Sequence, residues 1–131
     1  MITLSDGVTT VELPEGLNWA DEHAWQAVGS SFTRGLTGKP IIQVQAANKG
    51  RPITLEPYDL SAAWWTRSEL SALDTWINNP DQVLTLVFMS QTFSVRFRHY
   101  EPPAVSAKPI MFYSDPVASN IIQPIIKLVT V

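Results

Sequence analysis

The chain has 131 residues, 45 % hydrophobic and only 16 % charged, with a net charge of −3 and no cysteine. That length suits a single domain, residues 1–131, able to bury a core of its own. The acidic balance argues against a general binder of nucleic acid or anionic membrane, and the missing thiols exclude disulfides, thiolate zinc sites and cysteine nucleophiles.

A typical domain carries about 25 % charged residues. A chain this poor in charge is expected to cover part of its surface with a partner. Its five tryptophans fit the same reading, because Trp is enriched at interfaces. A large aromatic core accounts for them equally well. The opening "MITLSDGVTTVEL" lacks a basic segment followed by a long apolar run, so no secretory signal is expected. No apolar stretch approaches the roughly 20 residues that span a bilayer as a helix. The expectation is a protein made in the cytoplasm, with no membrane partner.

In chain order, Asp6-Gly7 between two β-prone runs predicts a hairpin, since a tight turn needs a residue at positive φ. Trp25, Ala27 and Gly29 then alternate with polar residues. "GLTGKP" predicts a turn. "IIQVQA" predicts a strand, with Ile42, Val44 and Ala46 on one side and Gln43 and Gln45 on the other. "NKGRP" predicts another turn, with Gly50 in a left-handed conformation, and "ITLEP" a short strand. Prolines 14, 40, 52 and 57 mark boundaries and edges.

One segment breaks the β pattern. Thr66 and Glu69 have the spacing of a capping box, and Leu70, Leu73, Trp76 and Ile77 fall on one helical face. The spacing predicts a helix over about residues 67–78, stopped by Asn79-Pro80. Its single apolar stripe needs a sheet to lie on. "QVLTLVF" and "TFSVRFRHY" follow as two strands joined around Met89-Ser90-Gln91. In the second, Phe93, Val95, Phe97 and His99 are expected to point inward, and Arg96, Arg98 and Tyr100 outward. "EPPAVSAKP" reads as a stiff connector. "IMFYSDPVASNIIQPIIKLVTV" reads as a strand, a turn at Asp115-Pro116 and a final strand pair with Pro124 at an edge or bulge. The fold class is mainly β: a β-sandwich or split barrel with one flanking α-helix.

Little in the sequence points to catalysis. Asp21, Glu22 and His23 are adjacent, a spacing that does not converge on one metal ion, and no second histidine lies near. His99 shares the apolar face of its strand, which suggests a buried, hydrogen-bonded or strand-end histidine. No serine-hydrolase, phosphate-loop or dinucleotide motif is present. The expectation is a protein that is not an enzyme and has no catalytic residue, metal or cofactor. Arg96 and Arg98 have three readings: a solvated strand face paired to a neighbouring carboxylate, a phosphate contact, or a pairing with acids on another subunit.

A longer arrangement carries a resemblance. The "GRPITL" strand leads through a run ending in Trp64-Trp65 to "TRSEL" at a helix start, and a hairpin follows whose second strand ends "VRFRH". With "SFTRGLTGKPIIQ" upstream and "PIIKLVTV" at the close, this resembles the distal tail or baseplate ring proteins of long-tailed, siphovirus-like bacteriophages and prophages, relatives of the tail-tube fold. The resemblance implies a structural virion protein, a homo-oligomeric, hexameric ring stacked between tail tube and baseplate hub, with DNA only as cargo passing through its lumen. Many such ring proteins carry a second, peripheral domain, and none is expected within these 131 residues. Trp64, Trp65, Arg96, Arg98 and Tyr100 are the interface candidates. In an extended segment Trp64 and Trp65 point oppositely, so at least one is expected in the core. The alternatives are a tail tube or tail terminator protein, a monomeric β-sandwich that binds a peptide or sugar, and a small hydrolase without a recognisable motif.

Overall fold

Asp6-Gly7 makes the first turn as the sequence leads one to expect. The computed structural model describes residues 2–46, 50–59, 61–111, 114–117 and 119–131. Strands β1 (Ile2–Ser5) and β2 (Thr10–Leu13) pair antiparallel across a four-residue loop. There Gly7 sits at φ 94°, and the Asp6 carboxylate accepts from the Val8 and Thr9 amides at 2.8 and 2.7 Å. β3 (Leu17–Trp19) is followed by the two longer strands β4 (Val28–Arg34) and β5 (Pro40–Ala46), then by β6 (Pro52–Pro57) and the short β7 (Trp65–Thr66).

The helical segment spans the expected stretch but is not continuous. It is split into α1 (Arg67–Ser71) and α2 (Asp74–Ile77). At the break the Ala72 and Leu73 amides reach back three residues to Glu69 and Leu70, a tighter 3₁₀-type turn. The capping box is complete, with Thr66 Oγ1 accepting from the Glu69 amide and the Glu69 carboxylate from the Thr66 amide. The apolar stripe survives the break: Leu73 and Trp76 are buried, and Leu70 and Ile77 pack against the core. Trp76 Nε1 donates to Asp6 at 3.1 Å, which ties α2 to the first hairpin.

Strands β8 (Leu84–Phe88) and β9 (Gln91–Phe97) form a hairpin whose two loop residues, Met89 and Ser90, both have positive φ. Two further differences follow from pairing. The expected connector contains strand β10 (Val105–Pro109), and the expected final strand pair is one ten-residue strand, β11 (Ile121–Thr130). Of the strand expected before Asp115, Ile110 and Met111 lie in bends, and Phe112 and Tyr113 fall outside the described residues. Asn48 and Lys49 of the expected "NKGRP" turn also fall outside them, while Gly50 has φ 85°.

β11 organises the molecule. It pairs with β10 and then β9 along one edge, and with β7 and then β6 along the other. Odd-numbered residues of β11 bond toward β10 and β9, and even-numbered ones toward β7 and β6. Pro124 is even and lies where β7 has ended and β6 has not begun, so its missing N–H interrupts no ladder.

The sheet order is β2-β1-β8-β9-β11-β6-β3, with β7 and β10 on β11. Trp19, on the last strand of that order, meets Phe88 and Phe93 of β8 and β9 edge-on at 6.0 and 5.7 Å between ring centroids. Strands distant in the sheet therefore touch across the core. The protein is a mainly β structure, a β-sandwich with a flanking helical segment. The core holds Leu4, Leu13, Ile53, Leu55, Leu84, Leu86, Val95, Ile126 and Leu128, alternate residues of their strands.

Candidate assembly surface

The β4–β5 hairpin stands apart from this core. Its strands pair antiparallel from Val28↔Ala46 to Arg34↔Pro40 in a two-stranded sheet of their own. Its turn closes through the Gly35 amide to Lys39 O and the Gly38 amide to Gly35 O, with Gly38 at φ 80°. The expected strand at 41–46 is present, yet all fourteen residues of the two strands are exposed. Each strand is the other's only substantial neighbour among the described elements.

The two faces of this ribbon differ chemically. Directly opposed residues share a face. One face carries Val28, Phe32, Ile42, Val44, Ala46 and Pro40, with Ser30 and Arg34. Arg34 lies over the Phe32 ring at 5.5 Å. The other face carries Gly29, Ser31, Thr33, Gln43 and Gln45, with Ile41. The pattern is that of a sheet with one side against a core, but among the described elements nothing covers the apolar side. Leu36 at the tip is wholly exposed. An isolated two-stranded ribbon is marginal in water and gains stability when its apolar face is packed.

At the base of the ribbon Arg51 links it to the body. Its guanidinium lies over the Trp19 ring at 4.4 Å and beside Trp25 at 5.8 Å, and Nη2 donates to Glu22 O at 2.7 Å. These contacts hold the segment that feeds β4.

The interface candidates of the sequence divide. Trp64 is 52 % exposed and Tyr100 69 % exposed. Trp65 is 4 % exposed and belongs to the core, because β7 pairs it with Ile122 of β11. Trp65 is thus removed from the candidate surface, and the alternation expected of the Trp64-Trp65 pair holds. Arg96 is pinned within its own chain, donating Nη2 to Pro80 O at 2.8 Å beside Asp81 at 3.9 Å.

Arg98 is a correction. It does not share the outward face of Arg96. β9 ends at Phe97, where the His99 amide turns back to Phe97 O. Arg98 is swung inward to 5 % exposure. Its guanidinium donates to Thr54 Oγ1 and lies 4.0 Å from Asp21 and 3.7 Å from Glu101. Asp21 in turn accepts from the Thr54 amide and hydroxyl at 3.0 and 2.9 Å. The same turn sends His99 outward. It is exposed rather than buried, with Nε2 2.8 Å from Ile77 O.

The end of β9 borders a cleft of about 710 Å³. Ile77, Pro80, Phe97, Tyr100, Val129 and Val131 give it an apolar lining, and Arg96, His99, Asn78 and Gln82 add polar groups. Hydrogen bonds from Thr9, Val8 and Trp76 hold the Asp6 carboxyl below its ordinary value of 3.8. Bonds from the Ser61 hydroxyl and amide do the same for Asp59. Neither carboxylate lines the cleft. His23 is exposed beside Glu22 at 3.6 Å. Among the described residues no three of His, Asp or Glu converge as a metal site would require, and no helix is long and apolar enough to cross a membrane.

The alternation of Ile42, Val44 and Ala46 predicts a strand but not an uncovered ribbon, and the sequence signal that sets this segment apart is that no acidic residue occurs between Val28 and Ala46. Compared with family models, with curated proteins and with solved structures, the chain matches none.

Proposed function

We propose that this chain is a structural subunit that assembles with copies of itself into a ring, as a virion protein of a long-tailed bacteriophage, at the junction of tail tube and baseplate around the DNA channel. The observation that carries the self-assembly is the β4–β5 hairpin, an amphipathic ribbon whose apolar face has no cover among the described elements. A chain acting alone has little reason to expose Val28, Phe32, Ile42 and Val44 on one face. A repeating assembly gives that face a partner in every copy. The low charge of the chain supports the same reading. The tail location rests on the resemblance of the "GRPITL", "TRSEL" and "VRFRH" segments. The tail tube and baseplate hub proteins are the partners proposed above and below the ring. A tube or tail terminator subunit would share this logic and differ in its axial neighbours.

The test is the mass of the purified protein by light scattering over a wide concentration range, with negative-stain imaging of the same sample. Closed rings of uniform diameter are expected. A monomer at every concentration rejects the reading. The cleft beside Tyr100 favours a second reading, a monomeric module that binds a peptide or sugar. Constant monomer mass with saturable ligand binding at that cleft would favour it.

A further inference from the structure

We propose that the tip of the β4–β5 hairpin of one copy seats in the cleft of the next, with Leu36 entering between Tyr100, Phe97, Pro80, Ile77 and Val131. This deepens the proposed ring and rests on that reading. It also assigns the contact to particular residues.

Three observations converge on a second copy as the occupant. The first is charge. Arg34 and Lys39 are the only charged residues from Val28 to Ala46, so the ribbon carries +2. With the chain at −3, the remainder carries −5. A cationic ribbon and an acidic body attract each other between copies. The second is the location of that charge. Arg34 and Lys39 flank the turn that presents Leu36. At the cleft, Asp81 follows the lining residue Pro80 and Glu101 follows Tyr100, and both acids are exposed. Each acid is held only at its carboxylate's edge by an arginine of its own chain, Asp81 by Arg96 at 3.9 Å and Glu101 by Arg98 at 3.7 Å, while the hydrogen bonds of those arginines go to Pro80 O and Thr54. The third is apolar complementarity. Leu36 has no apolar cover, and the cleft is an apolar recess with an open mouth. Burying a leucine fully strengthens a contact about thirtyfold in its equilibrium constant.

Hairpin and cleft are different surfaces of the same chain. A contact between them is head-to-tail, so every copy both donates and accepts. Such a contact closes into a ring when its rotation divides the circle, and otherwise runs on as a filament.

The chain has no cysteine, which permits a clean test. Leu36→Cys and Tyr100→Cys are made separately, mixed, and treated with a short bismaleimide. Each position is exposed in the subunit, so both variants fold. The expected result is a covalent dimer in the mixture and none in either variant alone. Leu36→Asp is expected to raise the concentration of half-assembly at least tenfold without changing the far-ultraviolet circular dichroism. If the wild-type chain assembles but the mixture gives no covalent dimer and Leu36→Asp assembles normally, the docking is wrong and the ring survives with another contact. If the wild-type chain is monomeric throughout, both are overturned.

Discussion

Arg98 shows how far a single side chain can depart from its strand's alternation. The cation is buried, and it persists there because Thr54, Asp21 and Glu101 surround it. Removing one partner of such a group leaves a buried charge less well compensated. Asp21→Ala also strips acceptors from the Thr54 amide and hydroxyl. Its expected cost is about 3 kcal/mol, read as a lower urea midpoint at unchanged slope. Asp6 gives a pH prediction. Hydrogen bonds from Thr9, Val8 and Trp76 lower its pKa in the folded state. Its contribution is therefore present in full above the unfolded value of 3.8 and is lost as pH falls through the lower folded value. Asp6→Asn should be less stable than the parent at pH 6, and thermal melts should show the gap closing as pH falls below 3.8.

At the scale of elements, one short turn decides the β8–β9 register. The β8–β9 loop places Met89 at φ 52° and Ser90 at φ 62°. A two-residue hairpin with both residues at positive φ favours Asn-Gly, and side chains other than Gly are strained there. Replacing Met89-Ser90 by Asn-Gly should stabilise the fold by about 1 kcal/mol, seen as a higher melting temperature. At the helix start Thr66→Ala removes the acceptor for the Glu69 amide and should cost about 1 kcal/mol. The β4–β5 ladder bears on assembly directly. As an uncovered ribbon it should exchange its amide hydrogens quickly in the free subunit. Assembly should slow that exchange, while the β11 amides stay protected in both states. Equal exchange in free and assembled protein would separate the ribbon from the interface.

For the whole molecule, the division between an acidic body and a cationic ribbon predicts how salt acts. The Debye length falls from about 10 Å at 0.1 M salt to about 3 Å at 1 M. Charge steering between copies should weaken over that range, while the apolar part of the contact persists. Sedimentation at rising salt should show assembly requiring more protein without being abolished. Assembly indifferent to salt would remove the electrostatic part of the argument.

Much of the architecture was written in local pattern. The first hairpin followed from Asp6-Gly7, the helix start from Thr66 and Glu69, and the β8–β9 pair from its alternation, because each depends on residues within a few positions of one another. The candidate surface was legible only in part. Trp64 and Tyr100 are exposed, but Trp65 and Arg98 are buried, and the alternation at 41–46 with its turn predicts a strand without showing that it stands uncovered. Alternation says which residues share a face, not whether another element covers that face. That β4 and β5 lack a core to lie on, that β11 joins four other strands, and that Arg98 turns inward to Asp21 and Thr54 all depend on segments distant in the chain meeting in space. The sequence by itself determined the β class, the turns and the two-sided chemistry of each strand, since these are set by neighbours along the backbone. Only the tertiary structure decided which apolar face became core and which was left exposed, because burial is a property of what packs against a residue from elsewhere in the chain.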